Sequence, residues 1–531
     1  MEKLQNPINL PLWVQWSLFL LILLLVSWYY DFHKVLFLGP QSVHFWRQVD
    51  CLSYTLNYMM EDRAFFNPSI HYIAAAGHGE VITDFPVIFY LVGNIWKITG
   101  QQEWIYRLII FLIFTTGTSF LFFLLKDLLK SFFWALFLSL LLFTSPVIAY
   151  YSANFVMNMP AFSFALMGLS SFYWFVRTEK SGWLWLSMGF YLTGGLIKIP
   201  ALMTFLVILF IYITDTTGII KYKRGRPVFK QKVIQGLPLI LVITGIGLWI
   251  IFLGRYNEGN TGMFLSGILP IWELSKPEIF RIINEFNDYW YHQYFHLYMH
   301  IATILAFLWI LLNYKKLSSI EKVFIVLLPV GVLMFILLWF RALPHHDYYL
   351  TNTYILLIIT WALAVKILIE QYPRVSRFYL FRVLFVVFLA FNAQHTRTEI
   401  SIRYWGWWNN EYLQKYEPLR DLKPILREAG VNREDRIIAM ADEIPNSTLY
   451  LLDVKGWCNF GGHMNNLDSA GIALSIQKGA KYMVLLDTTW TSKDFLRPFI
   501  HDLLLEHKTI KVFNLSDKVT TIETPEALDE I

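Results

Sequence analysis

Chemistry-bearing side chains are sparse in this chain and gather at a few points. The first is "HFWRQVDCLSYTLNYMMED", residues 44–62, where Arg47, Gln48 and Asp50 lie within one helical turn's length of sequence. Asp50 has two readings. It caps a helix running through "CLSYTLNYMM", or it is a general base that takes a proton from a hydroxyl. Arg47 would then orient that carboxylate or hold a phosphate. The second point is "RALPHHDYYL", residues 341–350. Arg341 supplies a cation there, and His345, His346, Asp347, Tyr348 and Tyr349 supply polar groups and aromatic faces. A charged stop beside an aromatic belt is the competing reading. Adjacent residues do not share a helical face, so no metal is assigned to this string. Lys198, in "GGLIKIP", interrupts apolar sequence. An ionisable group so placed serves a cavity or a partner, unless it snorkels to the interface. His292, His296 and His300 recur at intervals of four in "YHQYFHLYMH", which predicts one interfacial helix face, with zinc the lesser alternative. Asp84 and Arg107 flank the segment 85–100, and Asn158 stands in a short break between apolar runs. Capping is the alternative role for Asp84.

Membrane-spanning helices must position these groups. Of 531 residues, 56% are hydrophobic and only 16% charged, whereas charge in a soluble domain is about a quarter. Aromatic residues reach 18%, as suits many membrane–water interfaces. A bilayer core takes about 20 apolar residues per helix. Apolar runs near 11–30, 105–125, 131–149, 159–176, 182–197, 199–214, 234–253, 299–313, 320–340, 348–369 and 378–394 predict about eleven spans. The first lacks a basic flank and a small-residue cleavage site, so it is expected to be a retained span rather than a cleaved signal. Cys51 and Cys458 are the only cysteines, which excludes a disulfide framework; a bridge between them requires that both face an oxidising space.

Charge sets the expected orientation. Residues 1–394 carry 28 Lys/Arg against 19 Asp/Glu, and residues 395–531 carry 16 against 20. The basic excess belongs to the membrane part, so nucleic acid is not an expected partner. If 85–100 lies on the membrane surface as an amphipathic helix, one alternating set of loops collects 17 basic residues and five acids. The positive-inside rule then puts the N-terminus in the cytoplasm. Loops 31–104, 150–158, 254–298 and 341–347, and everything after 394, fall outside. The expected domains are a transmembrane catalytic domain, 1–394, and an extracytoplasmic domain, 395–531. In the latter, "DRIIAMAD" (435–442), "KYMVLLD" (481–487) and "TIKVFNL" (509–515) read as strands. Helical patterns fall on "LRDLKPILREAG", with Gly430 as the stop, on "LDSAGIALSIQKGA" and on "KDFLRPFIHDLLLEH". Alternation of this kind predicts an α/β domain with a mainly parallel sheet. It has no glycine-rich dinucleotide fingerprint.

The order of these pieces resembles the GT-C glycosyltransferases, in the branch of dolichyl-phosphate-mannose protein mannosyltransferases and bacterial aminoarabinose transferases. The likeness covers most of residues 10–370. It rests on "HFWRQVD", "TDFPVIFYLVGNIWKITGQQEWIYRL", "SPVIAYYSANFVMNMPAF", "GGLIKIPAL" and "LPHHDYYL". The resemblance implies a polytopic helical enzyme of the inner (plasma) membrane. It implies a polyprenyl-phosphate sugar as donor, a glycan, lipid or protein as acceptor, membrane lipid around it, and neither metal nor other cofactor. By resemblance the catalytic base of the first outer loop is Asp50. The family often carries a second acidic residue beside it or in the second outer loop. Here Val49 and Cys51 flank Asp50 and Asn158 takes the second-loop position, so a two-carboxylate site is not expected.

The implied chemistry is physically reasonable. The donor phosphate would be met by Lys198, Arg341 and Arg107, because cations stabilise charge developing on a leaving phosphate. Arg47, Gln48, Asp84, Asn158 and the 345–349 string complete the expected substrate-binding set. One carboxylate with no covalent partner favours single displacement with inversion. A flippase for lipid-linked sugar is the alternative class. Against it stand the long loop 31–104, the large tail and the absence of the paired repeats usual in transporters.

Overall fold

A computed structural model of the chain describes residues 10–73, 78–222, 226–260, 264, 267–459 and 468–515. It forms two compact units. The first is Met1–Leu38, Glu103–Ile250 and Gly267–Ile402; the second is Gly39–Gln102, Ile251–Ser266 and Arg403–Ile531.

The first unit is a helical bundle. Among the described residues, eight helices are long and apolar enough to cross a membrane, or ten if each of two bent pairs counts as one span. The remaining expected span is Ser181–Ile197, a 17-residue helix packed on Asn158–Thr178. The run 131–149 is not one straight helix: Phe132–Phe143 and Pro146–Ser152 meet at 80°. Ser145 caps the second piece by accepting from the Ile148 amide at 3.5 Å, and Pro146 follows at its first turn. Proline has no amide proton with which to continue the preceding helix. A second break, of 82°, separates Lys276–Tyr294 from Leu297–Leu312. Phe295 there is fully extended (φ −162°, ψ 163°). The histidine face expected over 292–300 therefore does not form: His292 ends one helix and His300 belongs to the next. Tertiary bonds hold this bend, with Trp290 Nε1 donating to the Pro344 carbonyl at 2.8 Å and Tyr294 Oη to the Asp347 carbonyl at 2.9 Å. Elsewhere close packing needs small residues. A Cβ on Gly117 of Glu103–Leu129 would lie 2.9 Å from Ser163 on Asn158–Thr178.

The second unit is built on a five-stranded sheet. Its strands are β1 (Arg436–Met440), β2 (Lys455–Cys458), β3 (Ala480–Leu485), β4 (Asp502–His507) and β5 (Ile510–Asn514), in the order β2-β1-β3-β5-β4. β1 runs parallel to β2 and β3, while β3–β5 and β5–β4 are antiparallel. The expected predominance of parallel pairing thus fails at one edge. The sequence 493–507, expected as a helix, forms a short 3₁₀ segment, Asp494–Phe499, and then β4. Pro498 interrupts the helical pattern, and a tight turn through Lys508 (φ 53°) folds β4 onto β5.

The early segment 39–102 belongs to this unit. Tyr72 bridges Gly456 in parallel, with the Gly456 amide donating to the His71 carbonyl at 3.1 Å and the Ile73 amide to the Gly456 carbonyl at 3.0 Å. Ile73 enters the core of the sheet beside Ile438, Trp457 and Met483. The segment 85–100 forms the helix Val87–Thr99, which buries Ile88, Phe89, Val92 and Trp96 and leaves Leu91 and Ile98 exposed. Its 13 residues reach roughly 20 Å, short of a hydrocarbon core of roughly 30 Å. It packs on the helix Phe45–Met60 through Gly93, where a Cβ would sit 2.7 Å from the Tyr58 Cβ.

Candidate active site

The helix Phe45–Met60 starts abruptly. Ser42 (φ 69°) and His44 (φ 53°) both take left-handed backbone conformations ahead of it. Gln48 fixes that entry: its Nε2 donates to the carbonyls of Gln41 (2.7 Å) and Val43 (3.0 Å). Gln48 thus serves the loop backbone. Phe45 anchors the first turn against the rings of Tyr412 and Tyr416, 5.1 and 4.8 Å away.

Asp50 lies in the second turn, so it is not the cap of this helix. Its side chain is wholly buried. One carboxylate oxygen, Oδ1, accepts from Asn446 Nδ2 at 2.7 Å. The other, Oδ2, faces Arg47 Nη1 at 3.4 Å, one turn back on the same helix. The Arg47 guanidinium also donates from Nη2 to Thr83 Oγ1 at 3.0 Å and pairs with Asp84 Oδ2. Asp84 is fully buried and does not cap the Val87–Thr99 helix, whose N-cap is Pro86. One guanidinium therefore joins two carboxylates 34 positions apart in sequence. The planar fork of arginine suits that bridge. Tyr54, one turn beyond Asp50, stacks on Phe89 with ring centres 5.1 Å apart.

Burial pushes the Asp50 carboxyl above its ordinary value. Arg47 and the Asn446 amide pull it down and the Asp84 charge pushes it up, and the balance stays raised. A carboxylate of raised basicity is what proton abstraction near neutral pH requires. Sequence reading did not find Asn446 or Thr83. Asn446 lies 396 positions from Asp50, and no local spacing could announce it. Behind Asn446 lies a polar chain: Ser53 Oγ sits 2.7 Å from His71 Nδ1, and His71 Nε2 is 3.5 Å from Asp453 Oδ1.

The other expected residues belong to the first unit. Tyr151 Oη donates to the buried Asp347 carboxylate at 2.5 Å, and Asn158 Nδ2 to the Tyr348 carbonyl at 3.1 Å. Tyr348 Oη lies 2.9 Å from His346 Nδ1, and His346 stacks on Tyr349. His345 and Arg341 are exposed on the same 3₁₀ segment, Phe340–His345. Lys198 is half-buried at the end of Ser181–Ile197. Arg107 is fully buried. It donates from Nε to the Leu38 carbonyl at 2.9 Å and from Nη1 to that of Ala153 at 2.6 Å, with its guanidinium over Phe155. Those bonds tie a helix to two loops. Cys51 and Cys458 are both buried and are not joined in a disulfide.

The sequence model of the dolichyl-phosphate-mannose-protein mannosyltransferase family matches residues 83–249. That stretch begins at Thr83 and Asp84 and includes Arg107, Asn158 and Lys198. No curated protein matches the chain in sequence. Among solved structures it is similar to ArnT from Cupriavidus metallidurans in the apo state, at 10% identity over 95% of this chain and 98% of that one, with a TM-score of 0.58. It is similar to the same protein bound to undecaprenyl phosphate, at 12% identity, the same coverage and a TM-score of 0.58. Arabinofuranosyltransferase AftD from Mycobacteria matches at 12% identity over 94% of this chain and 40% of that one, with a TM-score of 0.53. Identities this low carry the fold. The chain is therefore a polytopic membrane protein of GT-C fold, similar to the protein mannosyltransferases over residues 83–249 and to ArnT along nearly its whole length.

Proposed function

We propose that the chain is an integral-membrane glycosyltransferase that moves a sugar from a polyprenyl-phosphate donor to a glycan, lipid or protein acceptor on the outer face of the plasma membrane. The observation that carries this reading is the buried Asp50, held between Asn446 and an arginine shared with Asp84. It sits on the loop helix where the resemblance puts the catalytic base. In the proposed reaction Asp50 takes the proton of an acceptor hydroxyl as that oxygen attacks the anomeric carbon of the donor. The bond from that carbon to the phosphate oxygen breaks, and the electron pair leaves with the lipid phosphate. Lys198 and Arg341, both of the first unit, are the cations assigned to that phosphate. One base and no covalent partner give inversion at the anomeric carbon. The N-terminus is cytoplasmic and the sheet-bearing tail extracytoplasmic, on the strength of the basic loops.

The test has two arms. Mass spectrometry of the purified protein should find a co-purifying polyprenyl phosphate. In proteoliposomes supplied with undecaprenyl-phosphomannose or undecaprenyl-phosphoaminoarabinose and a membrane acceptor extract, Asp50→Asn should keep that lipid and lower release of undecaprenyl phosphate by about two orders of magnitude or more, the scale of losing a general base. Near-normal release by the variant would overturn the assignment of the base.

A further inference from the structure

Asn446 opens the helix Ser447–Leu452, where asparagine usually caps with its own side chain. Here it makes no cap bond. Asp442 does that work instead, accepting from the Thr448 amide at 3.1 Å and from the Thr448 hydroxyl. The Asn446 side chain is fully buried and turned toward Asp50. The orientation of its amide is fixed. Its Oδ1 accepts from the Tyr72 backbone amide at 3.0 Å and lies 3.5 Å from Ser53 Oγ. A backbone N–H can only donate, so the oxygen must face Tyr72 and the NH₂ must face Asp50. Tyr72 is itself held by the bridge between its segment and β2. The sheet thus sets the position of an uncharged donor against one oxygen of the carboxylate.

We infer that Asn446, contributed by the C-terminal α/β domain, is a positioning residue for Asp50: it clamps Oδ1, favours the ionised form and leaves Oδ2 as the oxygen that takes the proton. The inference rests on the reading of Asp50 as the base, and it gives the tail a share in the active site. An amide can do this where an acid cannot. Asp84 already places a second negative charge near Asp50, and a third carboxylate would oppose ionisation further. The charged and titratable groups around Asp50 are Arg47, Cys51 and Tyr54 on its own helix, Asp84 ahead of the Val87–Thr99 helix and His71 behind Ser53. The Ser447–Leu452 helix adds Tyr450, whose ring lies against His71. Lys97, on Val87–Thr99, is paired with Asp62.

An infrared titration of the purified full-length protein tests the inference without a substrate. The protonated-carboxyl band that Asp50→Asn removes reports Asp50 itself. In Asn446→Ala its midpoint should move up by about one pH unit or more, because a hydrogen bond to the charged form is lost. Asn446→Asp, nearly isosteric and so a second route if the alanine variant fails to fold, should move it further in the same direction. In the undecaprenyl-phosphomannose assay the acidic limb of the pH–rate profile should follow, and Asn446→Ala in an Asp50→Asn background should cost nothing more. An unmoved midpoint in a folded variant overturns the inference while leaving the base in place. Full turnover by Asp50→Asn overturns the base and the inference together.

Discussion

At the residue scale the site is a problem of shared charge. Arg47 is nearly buried and serves two fully buried carboxylates. Removing it strands both, and an uncompensated buried charge costs about 3–5 kcal/mol. Arg47→Ala should therefore lower the melting temperature sharply. Arg47→Lys should fold but lose turnover, because an ammonium is a point charge and cannot present a fork to two acids. Differential scanning fluorimetry beside the transfer assay separates the two outcomes. The pH dependence follows from the raised Asp50. A base works when deprotonated, so kcat/KM should fall as pH drops through a pKa above the ordinary carboxylate value. Asp84 raises Asp50 through like charge. In Asp84→Asn that contribution disappears, and the acidic limb should move to lower pH. A limb that stays in place, or moves up, would show that Asp84 does not bear on the titrating group. The sequence around Asp50 offered Arg47 as the group that orients it, but Val49 and Cys51 are its neighbours and the other two members of the cluster, Asp84 and Asn446, come from far along the chain.

At the element scale the helix Phe45–Met60 is held at its far end by ion pairs. Glu61, its C-cap, takes Lys455 of β2 at 2.7 Å, Arg63 at 2.7 Å and Arg433 at 3.5 Å. Burial pushes Glu61 up, but Lys455 and Arg63 outweigh it and bring its carboxyl from 4.5 down to about 2. A depressed carboxyl stabilises the fold above its unfolded pKa. That contribution should be present at neutral pH, fade below about pH 4.5 and be gone near pH 2. Thermal melts followed by tryptophan fluorescence should show it, and Glu61→Gln should lower the melting temperature at pH 7 and flatten its fall across that window. An unchanged slope would mean that other carboxylates carry the acid sensitivity. The helix Val87–Thr99 depends on a different device. Gly93→Leu would drive a side chain into Tyr58 and the Thr55 carbonyl, an overpacking that costs about 1–3 kcal/mol.

At the scale of the whole molecule, charge predicts which side of the membrane the loops face. The 17-to-5 excess of basic over acidic residues on one set of loops predicts that Lys315 is cytoplasmic and Asp494 extracytoplasmic. Both side chains are exposed, so each accepts a probe. With Cys51 and Cys458 replaced, a membrane-impermeant thiol reagent added outside should label Asp494→Cys and spare Lys315→Cys. The reverse pattern would invert the topology and move the proposed active site to the cytoplasmic face.

The sequence by itself determined the class of the molecule. Apolar runs near 20 residues specify membrane helices, because no other local arrangement satisfies the backbone in lipid. The strands β1, β3 and β5 were legible for a similar reason: each is a short β-rich run with local turn signals. So was Asp50 as a candidate base, through the resemblance its loop carries. Tertiary structure decided much of the rest. The bend at Phe295 and the joining of segment 39–102 to the tail's sheet depend on partners distant in sequence, whereas the bend at Ser145 and β4 in place of a helix follow local signals at Pro146 and Pro498. The site is the clearest case. Arg47 and Asp50 are neighbours on a helix, but Asp84 and Asn446 reach them across 34 and 396 positions. A buried charge takes its partner from whatever the fold brings within 3 to 4 Å, and sequence spacing does not encode that distance.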